Sequence, residues 1–414
     1  MSETISFSRL KEYLKFFGPA WLVMIADMDA SSTIGAAETG ALFKYGLIWF
    51  MFLLIIPLYL VQETSGRIGT VTRKGLGEII RENYTRNTTL LMTIPMAITD
   101  MVTYAVEYIG IAIGLDLLGI PGIVALPFVY VVNILIVTRK KGMMIEKILL
   151  AITLVLIASF VAVLFIRGIM PYSPVYFSPR PSFLFILAVN VGAVIMPFML
   201  FFQTSATAEK VSKVRLAGNS GAPADSTLEH SELKFTRSAL RSMRTETLVG
   251  AVISELLMVI VEMTMSGVSA DTNFASARQL STALSVVANS YSPYLFGIGL
   301  IGSAFLALVV ISLGSAWGLG EALGFGRNGK NLIYIFESLP SLAAAMIIPQ
   351  SMLISSTLYI LVFFVFVLAG PATITGLIAR NKRIMGEYRS SRPREIAFWT
   401  SIGVVIFFGI LAIA

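Results

Sequence analysis

ADMDASSTIGAAETG, residues 26–40, lies inside the first long apolar stretch of the chain and yet places two carboxylates there, Asp27 and Asp29. From Asp29 to Thr33 five small or hydrogen-bonding residues follow one another. Such side chains offer the backbone alternatives to the helical ladder. The stretch therefore predicts a helix interrupted near its middle, with an acidic group at the interruption.

The surrounding chain makes this a membrane helix. Of 414 residues 56% are hydrophobic and only 13% charged, and the mean hydropathy is +0.82, values seldom met in soluble domains. Apolar runs long enough to cross about 30 Å of hydrocarbon recur throughout. Spans are expected at 17–42, 45–66, 89–118, 121–138, 148–166, 182–209, 245–268, 293–324, 331–348, 351–378 and 396–414. The expected class is an all-α integral membrane protein with no sizeable soluble domain.

Charge sets the topology. All but four of the 31 lysine and arginine residues (Lys44, Arg167, Arg180 and Arg278) fall in the N-terminal tail or in alternate connections beginning after the second span. By the positive-inside rule these are cytoplasmic, which leaves the C-terminus outside. The net charge of +7 is thereby assigned to topology, and no nucleic-acid partner is expected. Residues 1–16 carry dispersed charges and no small-residue cleavage pattern, the mark of a retained cytoplasmic tail. The absence of cysteine excludes disulfides, thiolate metal sites and thiol redox chemistry. The single histidine, His230, is expected on the surface of the polar connection 210–244, which reads as a flexible stretch followed by a short amphipathic helix from Asp225. No protein partner is evident.

A second interruption is expected in the sixth span at Met196-Pro197, because proline removes a backbone donor and clashes with the preceding turn. The first and sixth spans occupy matching positions if residues 17–168 and 182–378 are two copies of a five-helix unit, with 396–414 as an added span. Paired interruptions of this kind point to a transporter built from inverted repeats with a midplane binding site. Asp29 lies at one break with Ala26 three residues before it; Met196 lies at the other with Ala193 three before. An oxygen set from Asp29, Ser32 and freed carbonyls, joined by the Met196 thioether, suits Mn²⁺ or Fe²⁺ better than harder ions.

Ionisable groups within spans are functional candidates by default. Those in this chain are acidic: Asp27, Asp29, Glu38, Glu63, Asp100, Glu107, Asp116, Glu255 and Glu262. With no central lysine or arginine to pair with, their expected partners are cations or protons.

At these residues the chain resembles the Nramp family of divalent metal transporters. GPAWLVMIADMDASS (18–32) is similar to the family's first-helix pattern ending in D-P-G-N, and GAVIMPFMLFFQTSA (192–206) to the sixth-helix segment carrying M-P-H. LVQETSGRIGTVTRKGL (60–76) and ARNKRIMGEY (379–388) resemble the ends of its second and tenth helices. The resemblance implies a LeuT-like fold, alternating access and a transported metal held between the first and sixth helices. It matches Asp29 and Met196 to metal ligands and Ala26 and Ala193 to carbonyl donors. Glu107 matches an acidic residue on the family's proton route.

The departures are specific. Ser32 stands where the family has asparagine, Phe198 and Gln203 where it has histidines, and Tyr104 where a second third-helix acid is expected. Proton coupling through histidine is thus missing, and Glu107, Asp27 and Glu255 are the remaining candidates for a proton or cation pathway. Two ions are carried forward, Mn²⁺ first and a hydrated Mg²⁺ as the alternative. A sodium-coupled carrier of organic substrates is the third reading, disfavoured because Asp29 would repel a substrate carboxylate. A permanently bound cofactor is not expected, nor is an enzyme, since no nucleophile is paired with a base.

Overall fold

The computed structural model describes residues 15–139, 142–218 and 228–413. Most of the expected tail lies outside them, as does the His230 side chain. Each of the eleven expected spans is found as a helix or as a pair of half-helices, making a multi-pass membrane protein.

The first span is split into α1 (Pro19–Ala26) and α2 (Ala30–Phe43). Then follow α3 (Ile48–Thr72), the short α4 (Leu76–Asn83), α5 (Arg86–Leu117), α6 (Gly122–Arg139) and α7 (Gly142–Arg167). The sixth span is split into α8 (Pro181–Val194) and α9 (Pro197–Gly218). The chain continues through α10 (Leu228–Met265), α11 (Ala277–Val287), α12 (Ser292–Leu323), α13 (Arg327–Ile347), α14 (Gln350–Arg380), α15 (Lys382–Met385) and α16 (Arg392–Ile413). Eight described helical stretches are long and apolar enough to cross a membrane, one of them running through the α8–α9 break.

Two expectations need correction. Within the connection 210–244, α9 extends to Gly218 and α10 runs unbroken from Leu228 into the seventh span, while the expected flexible stretch and helix start at 219–227 lie outside the described residues. Charge pairing supports these extensions, with Glu209 salt-bridged to Lys213 and Glu232 to both Arg73 and Arg215. The second correction concerns Arg67, which lies within α3 beyond the expected end of that span and is buried. It pairs with Glu63 at 3.3 Å and donates to the Tyr388 carbonyl and to Ser390, each at 2.9 Å. Arg244 reaches the other oxygen of Glu63 at 2.8 Å. Glu63 is therefore tied up in an ion-pair network.

The half-helices sit at the centre of the bundle. Pro19 starts α1 at a position where its missing N–H is harmless. The Glu246 carboxylate of α10 accepts the Gly18 and Trp21 N–H groups at 2.6 and 2.8 Å, capping α1 from another helix. Small residues let backbones approach closely, as is usual inside membranes: Gly69 lies against the backbone of Thr204 in α9, and Gly192 against that of Leu361 in α14.

Candidate metal centre between two broken helices

Asp29 ends the first break by capping α2. Its backbone is extended (φ −81°, ψ −176°), and its Oδ1 accepts the Ser32 N–H and the Ser31 hydroxyl, both at 2.6 Å. This is the N-cap arrangement, in which a side-chain oxygen satisfies a free helical N–H. Oδ2 is left buried with no hydrogen-bond partner. One carboxylate thus holds the local backbone with one oxygen and presents the other to the interior.

The same break frees a carbonyl. In an unbroken helix the Ala30 N–H would bond the Ala26 carbonyl; here it donates to Glu107 Oε2 of α5 at 3.0 Å. In the sixth span the residue four beyond Ala193 is Pro197, which has no N–H to give. Ile195 is extended (φ −132°, ψ 96°) and α9 begins at Pro197. The Ala193 carbonyl, lacking its helical donor, accepts the Ser32 hydroxyl at 3.4 Å. The two breaks therefore meet. Both α1 and α8 end here, and the negative ends of helices favour cations.

Met196 stands at the second break, fully buried, its N–H directed at Met199 Sδ at 3.4 Å. Glu107 faces Asp29, and its Oε1 has no partner. The Asp29 carboxylate, the Ser32 hydroxyl, the Ala193 carbonyl and the Glu107 carboxyl meet at this junction, with Ala26 at the end of α1 and Met196 at the second break. Among the described residues no histidine or cysteine joins them, and no group of three or more His, Cys, Asp or Glu forms a metal cluster.

Other candidates lie elsewhere. Asp27 turns toward α10, where its Oδ2 accepts the Ser254 hydroxyl at 3.0 Å; the neighbouring Glu255 is buried with both oxygens unpartnered. Gln203 donates to Thr247 at 3.4 Å, in the α3–α9–α10 interface beside Gly66. Tyr104 donates to Glu337 of α13 at 3.0 Å. Among the remaining acids with cations or protons as expected partners, Glu63 is tied up as above, Asp116 accepts the Gly122 N–H at 2.8 Å, and Glu262 accepts the Leu47 N–H at 3.1 Å with its other oxygen unpartnered. Glu337 was not among the acids singled out from the sequence, although it falls within an expected span and that position was the available signal.

A vestibule opens on the face that carries the basic connections. Its cavity, about 640 Å³, is bounded by residues including Ser205, Trp317, Glu321 and Lys330. A smaller hollow of about 70 Å³ continues between Pro19, Leu22, Leu149 and Phe202. There the Phe202 and Trp317 rings stack with centroids 5.9 Å apart. Asp29 and Met196 are fully buried, so the vestibule stops short of the breaks.

Residues 20–414 match the family described as Nramp, natural resistance-associated macrophage protein-like. Over 202 residues the chain is 30% identical to a divalent metal cation transporter MntH of Verminephrobacter eiseniae, covering 47% of this chain and 46% of that protein. A second MntH, of Staphylococcus haemolyticus, is 30% identical over 207 residues, with the same coverage of 47% and 46%. The chain thus spans about half the length of the curated relatives it matches. Among solved structures, the manganese transporter of Eremococcus coleocola, in complex with an aromatic bis-isothiourea substituted compound, aligns with a TM-score of 0.79 at 16% identity, over 98% of this chain and 87% of that one. Mhp1, a nucleobase-cation-symport-1 family transporter, aligns at 0.56 with 12% identity, over 96% and 91%. At these identities the likeness is one of fold, and it is the LeuT-like fold expected from the sequence.

Proposed function

The chain belongs to the Nramp, natural resistance-associated macrophage protein-like, family, and on that premise we propose that it is a secondary transporter moving divalent metal cations across the membrane by alternating access. Mn²⁺ is its first-choice ion, with Fe²⁺ and similar ions accepted. The observation that carries this reading is the junction of the two breaks. The Asp29 oxygen without a partner and the Ser32 hydroxyl 3.4 Å from the Ala193 carbonyl give a buried oxygen set that only a cation or a proton completes.

The ion follows from the donors. Met196 adds a thioether, a tolerable ligand for Mn²⁺ or Fe²⁺ and a poor one for Mg²⁺. Mg²⁺ also retains several of its waters. Hydrated Mg²⁺ remains the second reading because Ser32 is shorter than the family's asparagine. Glu107, bonded to Ala30 by one oxygen with the other free, is the carboxyl placed to take a proton when the ion leaves. The basic face is read as cytoplasmic by the positive-inside rule, which makes the vestibule an inward opening.

Calorimetric titration of the purified protein with Mn²⁺ and Mg²⁺, on wild type and Met196→Ala, tests the reading together with Mn²⁺ uptake into proteoliposomes. Micromolar Mn²⁺ binding that weakens in the variant, with Mg²⁺ silent, is the expected result. Weak binding of both ions that ignores Met196 would move the assignment to Mg²⁺, and silence toward both would sink the metal site.

A further inference from the structure

Away from the breaks, three helices bring together a second group of buried oxygens. Asp100 of α5 and Glu337 of α13 are 1% and 5% exposed and near enough for each charge to be felt by the other. Asp100 Oδ2 and Glu337 Oε1 each lack a hydrogen-bond partner. The other Glu337 oxygen accepts the Tyr104 hydroxyl at 3.0 Å. Neither carboxyl takes part in any ion pair among the described residues.

Ser315 of α12 supplies an independent sign. Serine hydroxyls in these helices ordinarily bond back to a carbonyl of the preceding turn, as Ser303 does to Leu300, Ser312 to Leu308 and Ser341 to Glu337. Ser315 does not: its hydroxyl, fully buried, makes no bond back to the helix and is directed to the Asp100 and Glu337 carboxyls without meeting hydrogen-bond geometry to either. A hydroxyl that gives up its ready backbone acceptor beside two carboxyls with free oxygens is a buried polar group that calls for a partner.

We propose that Asp100, Glu337 and Ser315 form a second cation site, distinct from the Asp29–Met196 centre, that takes an oxygen-preferring divalent ion of the Ca²⁺ or Mg²⁺ class. Charge selects the divalent ion. Two carboxylates shut away from water with no base beside them are strongly unfavourable, and one divalent cation neutralises both. Donor type selects a hard ion, since the three side chains offer only oxygen. Tyr104 orients Glu337, leaving Oε1 free to face Asp100. The two sites share α5: seven residues separate Asp100 from Glu107, about 10 Å along the helix.

The test is calorimetric titration of the full-length protein in detergent with Ca²⁺ alone and with Mg²⁺ alone. It compares wild type, Asp29→Ala and the double variant Asp29→Ala/Glu337→Gln, with melting temperature in EDTA as the check on folding. Asp29→Ala, stripped of the first site, is expected to keep one binding event for at least one ion, and the double variant to weaken it about tenfold or more. Should Glu337→Gln not fold, Asp29→Ala/Ser315→Ala replaces it, with a smaller weakening of about threefold expected. Silence of Asp29→Ala toward both ions would overturn the site and leave the two carboxyls neutralised by protons; unchanged affinity in the folded double variant would overturn it as well. Failure of the transport reading is separate, since it would show as wild type that binds no Mn²⁺ while Asp29→Ala still takes Ca²⁺ or Mg²⁺.

Discussion

The hydroxyl of Ser32 and the carbonyl of Ala193 stand 3.4 Å apart although 161 residues separate them in the chain. Each reaches that place because its own helix is broken, α1–α2 by the cap that Asp29 makes and α8–α9 by the donor that Pro197 lacks. Altering either break should therefore be felt at both.

Asp29→Asn and Asp29→Ala separate the two tasks of this side chain. Asparagine caps a helix about as well as aspartate, while alanine costs about 1 kcal/mol. Asp29→Asn should melt close to wild type yet bind Mn²⁺ at least about tenfold more weakly, roughly 1.4 kcal/mol. Asp29→Ala should lose both, as read by thermal unfolding beside calorimetry. Equal Mn²⁺ affinity in Asp29→Asn would remove the charge from the account.

Pro197→Ala restores an N–H four residues beyond the Ala193 carbonyl. Where that bond closes α8 and α9 into a continuous helix, the hydrogen bond gained should raise the melting temperature. The same hydrogen bond would withdraw the carbonyl from the centre, and Mn²⁺ affinity should fall. A variant that gains stability and keeps its affinity would show that the sixth-span break is not needed for binding.

Met196→Leu keeps volume and removes the sulfur. Such swaps in a well-packed interior usually cost less than about 1.5 kcal/mol. The preference for Mn²⁺ over Mg²⁺, measured as the ratio of their dissociation constants, should narrow about tenfold through loss of Mn²⁺ binding alone. An unchanged ratio would make Met196 a packing residue.

Glu63→Gln strips the charge partner from Arg67, whose side chain is 1% exposed. Removing one member of a buried pair leaves an uncompensated charge and typically costs about 3–5 kcal/mol. The hydrogen bonds from Arg67 to Tyr388 and Ser390 make the segment after α15 part of the same unit. A large drop in melting temperature with Mn²⁺ affinity retained is expected. Loss of affinity at unchanged stability would instead draw Glu63 into the transport path.

How far the sequence could be read varied with the kind of signal. Interruptions were legible where several local features agreed, as at Asp29–Thr33. Proline alone was a weaker sign: Pro57, Pro95, Pro127, Pro340 and Pro371 all sit inside continuous helices, and only the break before Pro197 opens the chain. The role of Asp29 as a cap was missed because the following serine was read as a ligand rather than as an N–H awaiting an acceptor. The rule that membrane-buried acids are functional did not discriminate among them. Glu63 and Asp116 are spent on protein groups, while Asp27, Asp29, Asp100, Glu107, Glu255, Glu262 and Glu337 each keep a buried free oxygen, and nothing local in the sequence distinguishes the two sets.

By itself the sequence determined what depends on chain-local chemistry: eleven spans from apolar length, a basic face from the placement of lysine and arginine, and two breaks from residues that compete with or cannot join the helical ladder. Only the tertiary structure decided which buried acids find a donor. That depends on which helix lies opposite, whether Arg67 against Glu63, Leu47 against Glu262 or Tyr104 against Glu337. Hydrogen bonds reach about 3 Å, a distance that packing sets between residues far apart in the chain.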